Sequence, residues 1–272
     1  MNRTDTHRHT WLLPVAFVLS SGCGASAPAT TATPPSASSG GSQHAGPHWS
    51  YEGEHGAEHW ADLSPDFATC RTGVQQSPVD ITAPRAANGR APLEVAYRAT
   101  PARIVNNGHT IQVDLDEGNT LRLEGREYRL VQFHFHSPSE HRVSGQSAAL
   151  EMHLVHRDAE GHLAVVGIML REGAENAFLA PLWASLPHSV GAPAPAGSVD
   201  ASAALPAHRG YYHYAGSLTT PPCTEGVQWF VLHDAMEVSH AQVEAFTAAV
   251  GNANARPAQP LGERTVEVVG AH

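Results

Sequence analysis

The chain has 272 residues, with 26 Asp and Glu against 16 Lys and Arg, a net charge of −10 and only 15% charged residues. No basic stripe runs through it, which excludes nucleic acid as a partner, and the acidic balance by itself speaks only for solubility. The 19 histidines point to metal or proton chemistry, with plain surface histidine as the alternative.

At the N-terminus, Arg3 and Arg8 precede a short apolar run, Trp11 to Leu19, that ends in "LSSGC". The run is too short to span a bilayer and suits the core of a signal peptide over residues 1–22. Small residues lead into Cys23 as in a bacterial lipobox, although Ser20 stands where an aliphatic residue is usual. Cys23 is therefore the expected lipidation site and membrane anchor of a periplasmic or outer-membrane protein, with ordinary secretion as the alternative. Residues 23–46 are mostly Ala, Ser, Thr, Pro and Gly. They cannot bury enough surface to offset ordering and read as a tether.

A single folded domain is expected over residues 47–270. Short alternating runs dominate it: "TIQVDL", "TLRLEG", "EYRLVQFHFH", "AALEMHLVH", "LAVVGIML" and "GVQWFVL". Turn formers separate them, as in a mainly β protein. Helical periodicity is confined to "NAFLAPLWASL" and "SHAQVEAFTAAV", so the helices are few and peripheral. The Pro/Ala-rich stretch over residues 191–206 reads as a loop. Of the three cysteines, Cys70 and Cys223 remain. In an exported chain such a pair suggests a disulfide, and otherwise two buried thiols.

Strand parity makes the histidines informative. Gln132, His134 and His136 share one face of "QFHFH", and Glu151, His153 and Val155 share one face of "LEMHLV". Paired as neighbours, the two strands aim three imidazoles at one point. Gln132 and Glu151 each stand two residues before a histidine, placed to hold that ring's second nitrogen. Three neutral imidazoles suit zinc and leave a fourth position open, the arrangement of a catalytic site. The H-E-x-x-H helix of metalloproteases is absent. His141 and His156 do not share this geometry and are expected at the surface.

The segments "QFHFHSPSEH", "ALEMHLVH", "SLTTPPCTEGVQWF", "NNGHTIQV", "QQSPVDI" and "RPAQPL" resemble, in order, the signature segments of α-class carbonic anhydrases, from about Trp49 to Val269. The resemblance implies a central twisted, mostly antiparallel sheet with a Zn2+ cofactor at the base of a cleft. It implies reversible hydration of CO2 to bicarbonate and a proton, by attack of zinc-bound hydroxide. A family property, not one read from this chain, is that zinc lowers the pKa of its water to about 7.

By the same resemblance His134, His136 and His153 are the zinc ligands. Thr219 contacts the hydroxide and donates its own proton to Glu140, which as a carboxylate can only accept. Thr220 lies near bound bicarbonate. Val155, Val165, Leu218, Val227 and Trp229 match the apolar CO2 pocket, although plain core residues would read the same. His109 matches the proton shuttle, and Tyr51, Asn106 and Asn107 match positions that order the waters between. Asn254 and Arg256 match a pair behind the site, with Asn254 set to orient His136 and Ala255 standing where the family has an aromatic. A zinc-free binding domain is a rival, but all three histidines are present. An ester hydrolase is another, separable by a CO2-hydration assay. Oligomeric state is left open, a homodimer included.

Overall fold

The computed structural model describes residues 47–87 and 89–270. The expected signal segment, Cys23 and the tether lie outside the described residues. Strands β1 (Asp80–Ile81), β2 (Arg85–Ala86) and β3 (Glu94–Ala96) come first. β4 (Ala99–Asn106), β5 (Ile111–Leu115), β6 (Thr120–Leu123), β7 (Arg126–His136) and β8 (Arg142–Val143) follow. Then come β9 (Leu150–Arg157), β10 (Leu163–Glu172) and β11 (Ala194–Asp200). β12 (Tyr211–Ser217), β13 (Glu225–Leu232), β14 (Met236–Val238) and β15 (Glu267–Val269) complete the order. The α-helices are α1 (Trp60–Leu63), α2 (Thr69–Thr72), α3 (Leu179–Trp183) and α4 (His240–Val250).

Thirteen strands form one sheet in the order β11-β4-β5-β7-β9-β10-β13-β12-β15-β2, with β3, β6 and β14 off this path. Most neighbours are antiparallel, but β10 runs parallel to β13 and β14, and β15 to β2. This is the mainly β architecture that the alternating runs predict. β9 is buried along both faces from Leu150 to His156, as a central strand covered on both sides must be.

One face of the sheet carries the main core. Phe135 packs edge-on against Trp183 of α3 at 5.0 Å and Phe246 of α4 at 6.1 Å. α4 starts on a capping box formed by Ser239 and Gln242, a device that stabilises a helix start by about 1 kcal/mol. It ends at Gly251, whose φ of 91° is a conformation glycine adopts without strain.

Two expectations change here. The helical run around residues 176–186 shrinks to Leu179–Trp183, opened by Asn176 Oδ1 accepting from the Phe178 and Leu179 N–H groups. The Pro/Ala-rich stretch is not all loop: Ala194–Asp200 is the edge strand β11, paired antiparallel with β4. Its register shifts between Pro195 and Gly197. A proline has no N–H to give a ladder, and an edge strand leaves one side unpaired, so the composition tolerates this role.

Candidate metal centre

The second face of the sheet holds the histidines. β7 and β9 pair antiparallel with His134 opposite His153, and His136 opposite Glu151. A register shift between Leu130 and Gln132 resets the alternation. Leu130, Phe133 and Phe135 can thus all enter the main core, while Gln132, His134 and His136 face the other way. The imidazole centroids of His134, His136 and His153 are 5.1, 5.2 and 4.5 Å apart pairwise, and one nitrogen of each lies within 4.8 Å of the others.

Hydrogen bonds decide which nitrogen faces the centre. His134 Nδ1 lies 2.8 Å from Gln132 Oε1, which can only accept, so Nδ1 carries the proton and Nε2 the lone pair. His136 Nδ1 donates to the Asn254 main-chain carbonyl at 2.7 Å, which again leaves Nε2. His153 Nε2 sits 2.9 Å from Glu151 Oε1, a close contact without hydrogen-bond geometry that leaves Nδ1 as the other ring nitrogen. Gly167, across from His153, makes room for that carboxylate: a Cβ there would sit 2.9 Å from Glu151 Oε1. Gln132 and Glu151 thus each place a side-chain oxygen close to a ring nitrogen, of His134 at 2.8 Å and of His153 at 2.9 Å respectively. Asn254 orients His136 through its backbone, while its side chain accepts from Ser137 N and donates to the His109 and Phe135 carbonyls.

Burial sets the protonation. It holds His134 well below the usual histidine range, His136 at about 4, and His153 below its ordinary value. All three are neutral at pH 7, as metal ligands must be. Burial pushes the Glu151 carboxyl up, but His141 and His153 beside it hold it well below the carboxylate range. His136 Nε2 is buried with no hydrogen-bond partner, an acceptor awaiting an electrophile. Three neutral nitrogens, one of them otherwise unsatisfied, fit zinc.

Glu140 stands behind this centre. Its Oε1 accepts from the Arg256 main-chain N–H at 2.9 Å, and its Oε2 lies 3.5 Å from His136 Nε2. Burial raises its carboxyl to about 7, against the pull of His153, the Arg256 N–H and the Thr219 hydroxyl. Ala255 is partly buried between Asn254 and Arg256, which are both buried.

Val155, Val165, Val227 and Trp229 are buried in one apolar cluster on this face, with Leu218 packed against it. The register explains their meeting: Val165 pairs with Val155 on one side and Trp229 on the other. Thr219 is buried and Thr220 partly so, in the turn closed by Cys223 N donating to Thr220 O at 2.8 Å. The Cys70–Cys223 disulfide is formed and anchors this turn.

His109 occupies the turn between β4 and β5, partly exposed, its ring stacked on Trp49 at 3.7 Å. Burial, then the nearby charge of His48, lower its pKa. Asn107 shapes the turn by accepting from the His109 and Thr110 N–H groups. Asn106 does not face the intervening water: it is buried and its amide is spent on the Ala249, Pro187 and Gly108 main chain. The Tyr51 hydroxyl is buried without a hydrogen-bond partner among the described residues.

His141 and His156 correct the expectation of surface histidines, since both are wholly buried. His156 does face away from the centre, where its Nδ1 donates to Ala164 O at 3.1 Å and its Nε2 receives the Tyr97 hydroxyl at 2.6 Å. His141 belongs to the site. It contacts Glu151 at 2.7 Å and the Tyr214 hydroxyl at 2.6 Å, so it braces the carboxylate that orients His153. Parity along one strand could not find it, because His141 lies in the segment between strands.

Comparison with known proteins agrees with this geometry. The family profile described as eukaryotic-type carbonic anhydrase matches residues 55–270. A carbonic anhydrase of Pectobacterium atrosepticum is 43% identical over 221 residues, 80% of this chain and 90% of that protein. One of Neisseria gonorrhoeae is 45% identical, over 80% of this chain and 87% of that protein. Among solved structures, the Photobacterium profundum α-carbonic anhydrase is 46% identical with a TM-score of 0.76, covering 81% of this chain and all (100%) of that one. The Thermovibrio ammonificans α-carbonic anhydrase, solved with sulfanilamide, is 42% identical with a TM-score of 0.79, covering 82% and 99%.

Proposed function

The chain belongs to the eukaryotic-type, or α-class, carbonic anhydrase family, and on that premise we propose how its side chains share the reversible hydration of CO2 to bicarbonate and a proton. His134, His136 and His153 hold the zinc, with Gln132, Asn254 and Glu151 fixing their rings. Bound there, zinc acts as a Lewis acid that makes water a nucleophile at neutral pH.

Thr219 donates its hydroxyl proton to Glu140. The direction is forced once Glu140 is ionised, because a carboxylate only accepts. With a dication held by the three histidines, Glu140 would be kept in that ionised form against the upward push of burial. The Thr219 oxygen is then left as an acceptor facing the cleft, which fixes the orientation of an attacking donor.

CO2 carries no charge, so an apolar wall can hold it while excluding water. Val155, Val165, Leu218, Val227 and Trp229 supply that wall, and Thr220 sits where bicarbonate leaves. His109 takes the released proton to buffer. Its lowered pKa keeps the ring neutral, and so able to accept, at pH 7.

The observation that carries this reading is the convergence of three neutral imidazoles beside one apolar cluster. It is tested by metal analysis and CO2-hydration kinetics of His153→Ala, which should lose both zinc and activity; retention of full activity without zinc refutes it.

A formed disulfide belongs to an oxidising compartment, as export provides. We further propose that Cys23 is lipidated and that residues 23–46 hold the domain off an outer membrane. One acyl chain binds only marginally, and the several chains of a lipoprotein cysteine anchor firmly. Mass spectrometry of the mature N-terminus decides it: an unmodified terminus downstream of Cys23 refutes the anchor.

A further inference from the structure

Gln76 lies in the segment "QQSPVDI", and CO2 chemistry does not need it directly. Yet it is 4% exposed, and both ends of its amide are committed. Oε1 accepts from Arg256 Nη1 at 2.9 Å. Nε2 donates to the Cys223 carbonyl and to Glu225 Oε1, both at 3.1 Å. A guanidinium has no acceptor, and a carbonyl or carboxylate has no donor, so the partners dictate which way the amide points.

Each end leads to one half of the catalytic pair. Arg256 holds Glu140 through its own N–H, and its guanidinium is further pinned by the Ser77 and Cys70 carbonyls at 2.8 and 3.0 Å. Cys223 closes the turn that carries Thr219, with Cys223 N bonded to Thr220 O and Leu218 N to Thr224 O. The disulfide ties Cys223 back to Cys70. The adjacent Ser77 is interlocked with Ser217: each main-chain N–H donates to the other's hydroxyl, at 2.9 and 3.0 Å. Gly216 is required there, because a Cβ would sit 2.1 Å from Ser77 Oγ.

We propose that Gln76 is a positioning residue that couples the Thr219 turn to the segment holding Glu140, through the fixed direction of its amide. The inference rests on the roles proposed above for Thr219 and Glu140. A misplacement of about 1 Å in a catalytic constellation can slow chemistry about a hundredfold, so a loss of about tenfold is expected when the link is cut.

The test is stopped-flow CO2 hydration by the mature zinc enzyme and by Gln76→Leu, Gln76→Glu, Gln76→Glu/Glu225→Gln and Thr219→Ala, with zinc content measured alongside. Gln76→Glu keeps the acceptor for Arg256 but turns oxygen toward the Cys223 carbonyl and the Glu225 carboxylate. Gln76→Leu and Gln76→Glu are expected to lose about tenfold in kcat/KM while zinc and the buffer-limited kcat are retained. Adding Glu225→Gln supplies a donor to the carboxylate introduced at position 76, at the cost of the acceptor that Glu225 Oε1 offers the Gln75 N–H at 2.6 Å, and is expected to recover part of the lost kcat/KM. If Gln76→Glu does not fold, recovery of fold and rate in the double variant supports the coupling equally. Parental kcat/KM in Gln76→Leu, failure of the second substitution to repair, or an equal fall in the buffer-limited kcat overturns the coupling. A Thr219→Ala enzyme with parental kcat/KM overturns the catalytic pair itself; loss there with none at Gln76 overturns only the coupling.

Discussion

His136 Nε2 lies 3.5 Å from Glu140 Oε2, both atoms enclosed, and neither has a hydrogen-bond partner among the described residues. An unsatisfied buried polar group costs about 1–3 kcal/mol. The unsatisfied His136 acceptor marks a place completed by an electrophile. Zinc binding should therefore stabilise the fold: at a free concentration about a thousand times its Kd, by about 4 kcal/mol. Calorimetry with and without zinc measures this, and an unchanged Tm counts against it.

Thr219→Ala removes the acceptor that orients attack and leaves Glu140 without that hydroxyl. A fall in kcat/KM of about a hundredfold is expected, the scale of one lost orienting group in an active site. Zinc content should not change, because Thr219 is not a ligand. Near-normal kcat/KM would remove Thr219 from the mechanism.

His109→Ala should slow turnover at low buffer by about tenfold or more and spare kcat/KM, since proton export is separate from attack on CO2. Added imidazole should restore part of the rate. Unchanged turnover at low buffer would show that protons leave by another route.

His156 predicts a loss of stability in acid. Burial lowers its folded pKa to about 4, whereas an unfolded histidine titrates near 6.5. Between those values the unfolded chain binds the extra proton, so stability falls as pH drops through this window, by up to about 1.4 kcal/mol per pH unit. Below about 4 both states are protonated and this contribution stops changing. His156→Gln should flatten the dependence of Tm on pH between about 6.5 and 4; an unchanged slope assigns the acid loss to other groups.

The zinc ligands and their orienting partners are legible in the sequence because strand parity is local: Gln132, His134, Glu151 and His153 reveal a shared face within a few residues. The runs of β5, β6, β7, β9, β10 and β13 are legible for the same reason. β11 is hidden because its pairing with β4 is long-range and its Pro and Gly content mimics a loop. His141, His156 and Asn106 escape local reading for a related cause. Their burial depends on partners far along the chain, Tyr214 for His141, Tyr97 for His156 and Ala249 for Asn106. Glu140 and Thr219 carry no local signal at all, and only their place in a family's segments marks them.

The central claim is that three neutral imidazoles make this chain a zinc-dependent carbonic anhydrase. Stopped-flow CO2 hydration by the purified enzyme, stripped of metal and then reloaded with one zinc per chain, tests it most directly. Activity should vanish on removal and return in proportion to zinc bound. Full turnover by a folded, metal-free preparation would contradict the account.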